Sequence, residues 1–302
     1  MWDGHPADFD AYWQSTLDEL ELIPAAPEVD PLPIRSTAFA TTYSVRLTSV
    51  GPYRLYGYLS IPTGDGPFPA IYYAPKYQSV LELIPQGSSN KLRSRFITFS
   101  LAGRGQRNSD QPFSAMFPGM LTEGINDSSS YILRGFLADA VRGQEYLQLR
   151  PELDRSRVVS IGNDVALMAA GLHWGVSHVV CTPALFFDSM NLATKTGAYP
   201  LEEINDYMGS FPDRRSAVVE SLAYMDLRGF APKVGATTLL MADATGGLMD
   251  GSALKSVSEA IQGSVTVHDS ESSSYRDGMF VEDWIAREFG YEKAIVPKHW
   301  QD

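Results

Sequence analysis

Short apolar runs alternate with longer amphipathic runs through the last two thirds of the chain, and this alternation constrains the fold more than any other feature. The apolar runs have the length of buried strands and lie at 96–101, 158–161, 179–180, 238–242 and 265–267. Helical patterns separate them at 130–148, 165–173, within 200–226, at 252–262 and at 278–289. Because parallel strands are joined by crossovers, usually helices, this order predicts a mainly parallel sheet with helices on both faces.

The N-terminal third has a different pattern. Residues 8–21 repeat apolar side chains at helical spacing, with Asp8 placed to cap the start, and a proline-rich extended connector follows at 24–33. Strand-like runs come next, at 43–48, 53–61 and 70–73. They would add antiparallel strands at one edge of the sheet, and the polar stretch 78–94 predicts a loop. We therefore predict one α/β domain over residues 1–302, with an N-terminal helix and extended arm (about residues 1–40).

The charge balance bears on partners and location. The chain has 36 acidic and 24 basic residues, so its net charge of −12 should repel phosphate groups. We therefore expect neither nucleic acid nor a membrane as a partner. No basic leader with an apolar segment opens the sequence, and no run approaches the roughly 18 apolar residues of a membrane-spanning helix, so we expect a cytoplasmic protein. The single cysteine, Cys181, excludes an internal disulfide.

The junction at 158–166 carries the most chemical information. An apolar strand runs into a short apolar helix through Gly162, Asn163 and Asp164. Strand, tight turn and helix form the context of the nucleophile elbow, whose usual sequence is G-x-S-x-G. Here the first position is Gly162 and the last is Ala166, but the central residue is Asp164. Taken alone, a short polar residue at such a junction is more often only the cap of the helix.

Several other segments share their letters and their order with one esterase family. They lie at 9–13 (FDAYW), 103–106 (GRGQ), 119–127 (GMLTEGIND), 131–134 (YILR), 139–142 (DAVR), 222–226 (LAYMD) and 247–250 (GLMD). On these motifs the chain resembles the acetyl xylan esterase and cephalosporin C deacetylase family, also called carbohydrate esterase family seven, over nearly its full length. The resemblance implies an α/β-hydrolase fold, activity on small acylated carbohydrates or similar esters, and a homo-oligomer.

The positions that the resemblance marks as catalytic hold unusual residues. The serine of the family corresponds to Asp164. Its acid corresponds either to Asp243, directly after a predicted strand, or to Asp250, which keeps the GLMD letters. Its histidine corresponds to Ser273 or the residue before it, whereas His268 lies nearby in the last strand, where a strand-edge role explains it more simply. The candidate catalytic residues are thus Asp164, Asp243, Asp250 and His268, with Ser273 in the histidine position.

The resemblance also implies an oxyanion hole. Its first donor would be the backbone N–H of Val165, and its second would come from the loop after an earlier strand, at Lys76 or Tyr77. Lys76 could also neutralise the elbow carboxylate, although a solvated loop lysine explains it at least as well. Arg104 and Gln106 are expected to be structural polar groups behind the site.

Three functions stay open at this point. The first is hydrolysis of small acylated carbohydrates or similar esters through a rearranged site that contains Asp164. The second is another reaction with Asp164 as nucleophile or general base, since an ionised carboxylate is already a nucleophile. The third is a non-catalytic member of the family that binds a small molecule or serves assembly. No dinucleotide or phosphate-loop fingerprint and no compact metal motif is present, so we expect neither a cofactor nor a metal.

Overall fold

A mixed sheet runs through the part of the chain that the computed structural model describes, residues 4–77, 87–109 and 115–297. Its nine strands are β1 (Glu28–Pro31), β2 (Ala40–Ser49), β3 (Tyr53–Pro62), β4 (Phe68–Tyr73), β5 (Ile97–Ala102), β6 (Leu153–Gly162), β7 (His178–Cys181), β8 (Thr237–Ala242) and β9 (Val265–Asp269). They are ordered β1-β2-β3-β5-β4-β6-β7-β8-β9. In this order, the neighbouring pairs β1-β2, β2-β3 and β3-β5 are antiparallel, and the remaining pairs, from β5-β4 to β8-β9, are parallel. The predicted α/β architecture, with antiparallel strands at the N-terminal edge, is confirmed.

Helices cover both faces of this sheet. They are α1 (Phe9–Glu21), α2 (Ile132–Gln148), α3 (Asp164–Leu172), α4 (Ser189–Ala193), α5 (Glu202–Ser210), α6 (Arg215–Ala223), α7 (Leu227–Phe230), α8 (Lys255–Ser258) and α9 (Ser274–Glu288). Successive residues of a strand point to opposite faces of the sheet and so belong to different hydrophobic cores. Val158 of β6 packs in the core formed with α1, α2 and α3, whereas Val159 packs in the core that contains Trp284 of α9. Burial of both faces explains the continuous apolar runs. None of the described helices is long and apolar enough to cross a membrane.

Two features of the N-terminal arm differ from the prediction. The side chain of Asp8 does not cap α1; it accepts a hydrogen bond from the Tyr224 hydroxyl at 2.7 Å and so ties the start of α1 to the end of α6. The connector also contains an edge strand, β1, which pairs with β2 through the backbone while all four of its residues are exposed. Because this pairing uses no apolar side chain, the sequence carries no periodic signal for it.

Two further elements also differ from the prediction. Residues 87–94 of the predicted loop form a 3-10 helix, and 78–86 lie outside the described residues. The helix predicted at 252–262 is reduced to α8 (Lys255–Ser258). The Asp250 carboxylate accepts hydrogen bonds from the N–H groups of Gly246 and Ala253, so the chain forms turns where the apolar spacing predicts helix.

A buried ion pair joins the carboxyl end of β5 to α2. The guanidinium of Arg104 donates to both carboxylate oxygens of Asp139, at 2.9 and 2.7 Å, and the Arg104 backbone N–H adds a third bond at 2.9 Å. Asp139 is fully buried. Arg104 also donates to the carbonyl of Val50 at 2.9 Å, so its side chain binds three segments together. The side chain of Arg104 therefore joins the loop after β5 to α2 and to the backbone at Val50.

We expect the substitution Gly135→Ala to break this arrangement. A methyl group at Gly135, within α2, would overlap the guanidinium of Arg104. Overpacking of this kind should lower the free energy of unfolding by roughly 1–3 kcal/mol, measured by chemical denaturation. Gly209→Ala is the matched control, because Gly209 is also helical and has open space where the methyl group would go. Equal stability of the two variants would contradict the proposed close contact.

Candidate functional site

The elbow forms where the sequence predicts it. β6 ends at Gly162, Asn163 makes the turn, and α3 begins at Asp164. A Cβ atom at Gly162 would lie 3.2 Å from the Cβ of Ala166 and 3.3 Å from the Cβ of Ala74. Small residues here let α3 pack close against the carboxyl edge of the sheet, where ligands bind in open α/β sheets.

The carboxylate of Asp164 is buried, with the residue only 1% exposed, and it accepts hydrogen bonds from three consecutive backbone N–H groups. The donors lie in the loop after β7: Ala184 at 3.1 Å, Leu185 at 3.1 and 3.3 Å, and Phe186 at 3.0 Å. Burial raises the pKa of Asp164 to about 6, and the bonds from these N–H groups oppose that rise. The carboxylate therefore fastens the start of α3 to the loop after β7.

Both candidates for the family's acid hold the turn after β8. Oδ2 of Asp243 accepts from the N–H of Met249 at 2.9 Å. The two carboxylate oxygens of Asp250 accept from Gly246 at 2.8 Å and Ala253 at 2.9 Å, and these bonds lower the pKa of Asp250. Each carboxylate is therefore hydrogen-bonded within its own turn, and neither is bonded to a histidine among the described residues.

The candidate histidine lies at the far edge of the sheet. Nε2 of His268 is 2.9 Å from Oδ1 of Asp277, and its ring stacks on Phe280 at 4.0 Å. The hydroxyl of Ser270 donates to Oδ2 of Asp277 at 2.7 Å. Ser273 caps α9, because its Oγ accepts the N–H of Arg276. Both candidates thus anchor the start of α9, and within the described chain no histidine is bonded to the elbow carboxylate.

The remaining predicted residues lie around the loops after β4 and β5. Gln106 is buried; its Oε1 accepts the N–H of Gly103 at 2.6 Å, and its Nε2 donates to the carbonyl of Lys76 at 2.9 Å. Gln106 therefore joins the two loops. The side chain of Val165 is buried in the first turn of α3. The carboxylate of Asp164 accepts its hydrogen bonds from the backbone N–H groups of Ala184, Leu185 and Phe186.

Tyr77 is paired with a residue that the sequence reasoning missed. Its hydroxyl donates to the carboxylate of Glu203 on α5, at 2.7 and 2.9 Å from the two oxygens. The N–H of Leu121 lies 3.0 Å from Oε2 of Glu203 and 2.6 Å from the Tyr77 oxygen. Glu203 is only 2% exposed, and a methyl group at Gly119 would overlap its carboxylate. The carboxyl group of Glu203 is thus held in a polar cluster at the carboxyl edge of the sheet.

This cluster borders a cavity of about 360 Å³, here named the Tyr77–Glu203 cavity. Its walls are Tyr77, Gly105, Gln106, Arg107, Pro118, Gly119, Met120 and Glu203. The sequence offered little to single out Glu203, since an acidic residue in the first turn of a helix is commonly explained by the helix dipole alone. Only its burial, which depends on contacts far along the chain, marks it.

The mixed sheet, the helices on both faces and the strand–turn–helix elbow together define an α/β-hydrolase fold. Solved acetyl xylan esterases share it. The enzyme of Paenibacillus sp. R4 superposes with a TM-score of 0.80 at 20% sequence identity, over 94% of this chain and 95% of its own. That of Thermoanaerobacterium sp. JW/SL YS485 gives 0.78 at 21% identity, over 93% and 94% of the two chains.

Sequence comparison gives the family. The model of the family described as acetyl xylan esterase (AXE1) matches residues 2–275. A curated relative, acetyl esterase Axe7A of Xylanibacter ruminicola, is 26% identical over 243 residues, which are 76% of this chain and 54% of that protein. The chain thus spans about half the length of this relative. It belongs to the acetyl xylan esterase family.

The role of Asp164 in the fold can be measured by replacing it. Asp164→Ala removes the acceptor of two buried N–H donors, those of Leu185 and Phe186, and of the half-buried N–H of Ala184. An unsatisfied buried donor costs about 1–3 kcal/mol, so we expect a loss of at least about 2 kcal/mol in the free energy of unfolding. Asp164→Asn keeps one side-chain oxygen and should lose less. A variant Asp164→Ala as stable as the natural chain would show that the hydrogen bonds contribute nothing.

The stability should also depend on pH through this carboxyl group. Its pKa is about 6 in the folded protein and about 3.9 in an unfolded chain, so the folded state binds the proton more tightly. The group's stabilising contribution is then fully present below about pH 3.9 and is lost as the pH rises through about 6. We expect the natural chain to lose stability relative to Asp164→Asn over that window, in parallel urea titrations. A difference that is constant with pH would rule this out.

Proposed function

We propose that this protein is a non-hydrolytic member of the acetyl xylan esterase family that binds a small, hydroxyl-rich ligand. One observation carries the proposal: the elbow carboxylate of Asp164 is buried and engaged by three backbone N–H groups. A residue that is used in this way supports the loop after β7. It is not presented to a substrate as an elbow nucleophile is.

The chemistry of ester hydrolysis gives a second argument. A serine hydrolase needs a hydroxyl at the elbow and a base within hydrogen-bond reach of it. Asp164 supplies no hydroxyl, and in the described residues its carboxylate has no histidine partner. Its negative charge would also oppose an oxyanion at the backbone N–H of Val165, the position that the family resemblance marks. The mechanism expected from the resemblance therefore lacks a hydroxyl nucleophile at the elbow and, among the described residues, a histidine bonded to it.

The Tyr77–Glu203 cavity supports the binding part of the proposal. A site of this size suits a small molecule, and such sites combine an apolar wall with a few well-placed polar groups. Met120 and Pro118 supply apolar wall, while the Glu203 carboxylate, the Tyr77 hydroxyl and Arg107 supply polar groups. Carboxylates accept hydrogen bonds from hydroxyls, which matches carbohydrate-type ligands. The solved relatives are acetyl xylan esterases, and their names indicate the same class of compound.

A second candidate function is hydrolysis of small acylated carbohydrates that uses Asp164 directly. The observation in its favour is the pKa of about 6, which brings the carboxyl group close to the range of a general base at neutral pH. To act on a substrate, the carboxylate would have to give up hydrogen bonds to the loop after β7. Assembly into a homo-oligomer and a cytoplasmic location also stay predictions.

Hydrolysis and binding can be tested on the same preparation. We expect the purified chain to release no more nitrophenol from 4-nitrophenyl acetate, and no more acetate from acetylated xylo-oligosaccharides, than Asp164→Asn does. Acetylated or free xylo-oligosaccharides should bind all the same, measured by calorimetry. Turnover that is present in the natural chain and lost in Asp164→Asn would overturn the proposal in favour of the second candidate.

Substitutions in the wall of the Tyr77–Glu203 cavity test whether the ligand binds there. Glu203→Gln removes a carboxyl oxygen that can accept a hydrogen bond and should weaken binding of the ligand roughly 10-fold. Tyr77→Phe removes the hydroxyl and should act in the same direction. Glu202→Gln is the matched control, since Glu202 is the neighbouring acid on α5 and is absent from the cavity wall. Equal affinity of all three variants would contradict binding in this cavity.

A further inference from the structure

A groove lies at the opposite end of α3 from the elbow, where three helices end together. α1 ends at Glu21, α2 at Gln148 and α3 at Leu172, and residues at or next to all three ends line a space of about 610 Å³, here named the helix-end groove. At about 1.5 Å per residue, the nine residues of α3 separate this groove from Asp164 by roughly 13 Å. Its wall shares no described residue with the wall of the Tyr77–Glu203 cavity.

The wall of the helix-end groove contains an exposed aromatic side chain on a fixed turn. Trp174 is 89% exposed and Leu149 is 75% exposed, and both line the groove. Nε2 of Gln148 donates to the carbonyl of Gly175, and the N–H of Gly175 donates to Nδ1 of His173 at 3.1 Å, so the turn that carries Trp174 is bonded on both sides. The ring of His173 lies nearly parallel to that of Trp174, with an angle of 13° and 6.0 Å between centroids. The groove therefore presents a flat apolar surface that is already in place before a ligand binds.

The charges of this wall balance. Arg142 pairs with Glu145 at 2.7 Å, and its guanidinium also donates to two carbonyls at the end of α1. Arg155 and Glu21 add one charge of each sign, and Arg155 donates to the last carbonyl of α2. Burial lowers the pKa of His173, so its ring is neutral at pH 7 and adds no charge. The arginines thus already meet the partial negative charge of two helix ends, and an ion of either sign gains little in the groove. The wall favours a neutral ligand.

Hydrogen-bonding groups lie next to the turn that carries Trp174. Gln148 uses Nε2 to hold that turn, and Arg155 uses Nε and Nη2 to bond the backbone carbonyl of Gln148, at 3.2 and 3.1 Å. Within residues 4–77, 87–109 and 115–297, the Gln148 Oε1 and the Arg155 Nη1 have no protein partner, so one acceptor and one donor remain for a ligand. A wholly apolar ligand would remove water from these groups without replacing its hydrogen bonds, which is costly. The ligand that fits therefore has a flat apolar face and hydroxyl groups around it.

We propose that the helix-end groove binds a neutral carbohydrate chain, with the flat face of one sugar ring on Trp174 and hydroxyl groups bonded to Gln148 and Arg155. A sugar ring whose hydroxyls are all equatorial, as in a β-linked xylose chain, has a face of C–H groups that matches the indole ring in shape and polarity. Leu149 adds apolar wall for the next ring. The site lies apart from the Tyr77–Glu203 cavity, and the proposal does not depend on binding there.

The test compares xylohexaose with xylitol, which has the hydroxyl groups of a xylose unit but no ring and so no flat face. We expect xylohexaose, and not xylitol, to shift the indole N–H signal of Trp174 in NMR titrations of the full chain. The signal is assigned by its absence from the spectrum of Trp174→Phe. No response to xylohexaose would overturn the proposal, as would an equal response to xylitol at the same concentration of sugar units.

Substitutions in the groove wall locate the contacts, measured by calorimetry with xylohexaose in a chain that also carries Glu203→Gln. Trp174→Ala should weaken binding roughly 10-fold or more, and Trp174→Phe should recover part of the loss because it keeps an aromatic face. Arg155→Leu keeps an apolar stem, removes the donors and should also weaken binding. Ile34→Ala is the control, since Ile34 is an exposed apolar residue outside the groove wall. Affinity that is unchanged in Trp174→Ala overturns the proposal.

Two further results separate this site from other interpretations. The Trp174 signal should respond to xylohexaose in Glu203→Gln as it does in the natural chain, and loss of that response would contradict a site apart from the Tyr77–Glu203 cavity. Trp174→Ala should leave the sedimentation coefficient unchanged. Dissociation of an oligomer by this substitution would make the groove a contact between copies of the chain and would overturn the proposal.

Discussion

The attraction between one buried carboxylate and three backbone N–H groups organises the centre of this molecule. Asp164 follows β6, one of the central strands of the parallel part of the sheet, and holds the loop that follows the neighbouring strand β7. A buried charge is tolerated only when it is well hydrogen-bonded, and three amide donors meet that need without a second charge. The residue at the turn of the elbow therefore ties two loops together.

A second buried acid, Glu203, extends the same principle to the rim of the sheet. The carboxylate brings α5 to the loop after β4 and to the backbone of Leu121, three segments that are far apart in the chain. Arg104 and Asp139 do the same behind the edge. Breaking such a bond would leave a buried polar or charged group without a partner, which is costly. These bonds therefore hold the loops in one arrangement. A fixed rim is what a binding site requires, since preorganisation lowers the entropic cost of binding a ligand.

The sheet could be predicted well because both of its faces are buried. Val158 and Val159, for example, are buried on opposite faces, so the strand appears in the sequence as a continuous apolar run. The elbow was found because Gly162 and Ala166 must be small for α3 to pack. β1 and Glu203 could not be found in this way. β1 is held by backbone pairing, and the burial of Glu203 depends on partners 82 and 126 residues distant in the chain. Periodicity reports local burial, whereas a long-range polar contact leaves no local pattern.

The exposed strand β1 has a consequence for how copies of this chain can meet. An open sheet edge offers unpaired backbone groups to another strand, and proteins protect such edges with charges and proline. β1 carries Glu28 and Asp30 and ends at Pro31, and all its residues are exposed. An edge of this composition disfavours the addition of a strand from a second molecule. Continuous intermolecular sheet, and the aggregation that follows from it, is therefore opposed on this side of the protein.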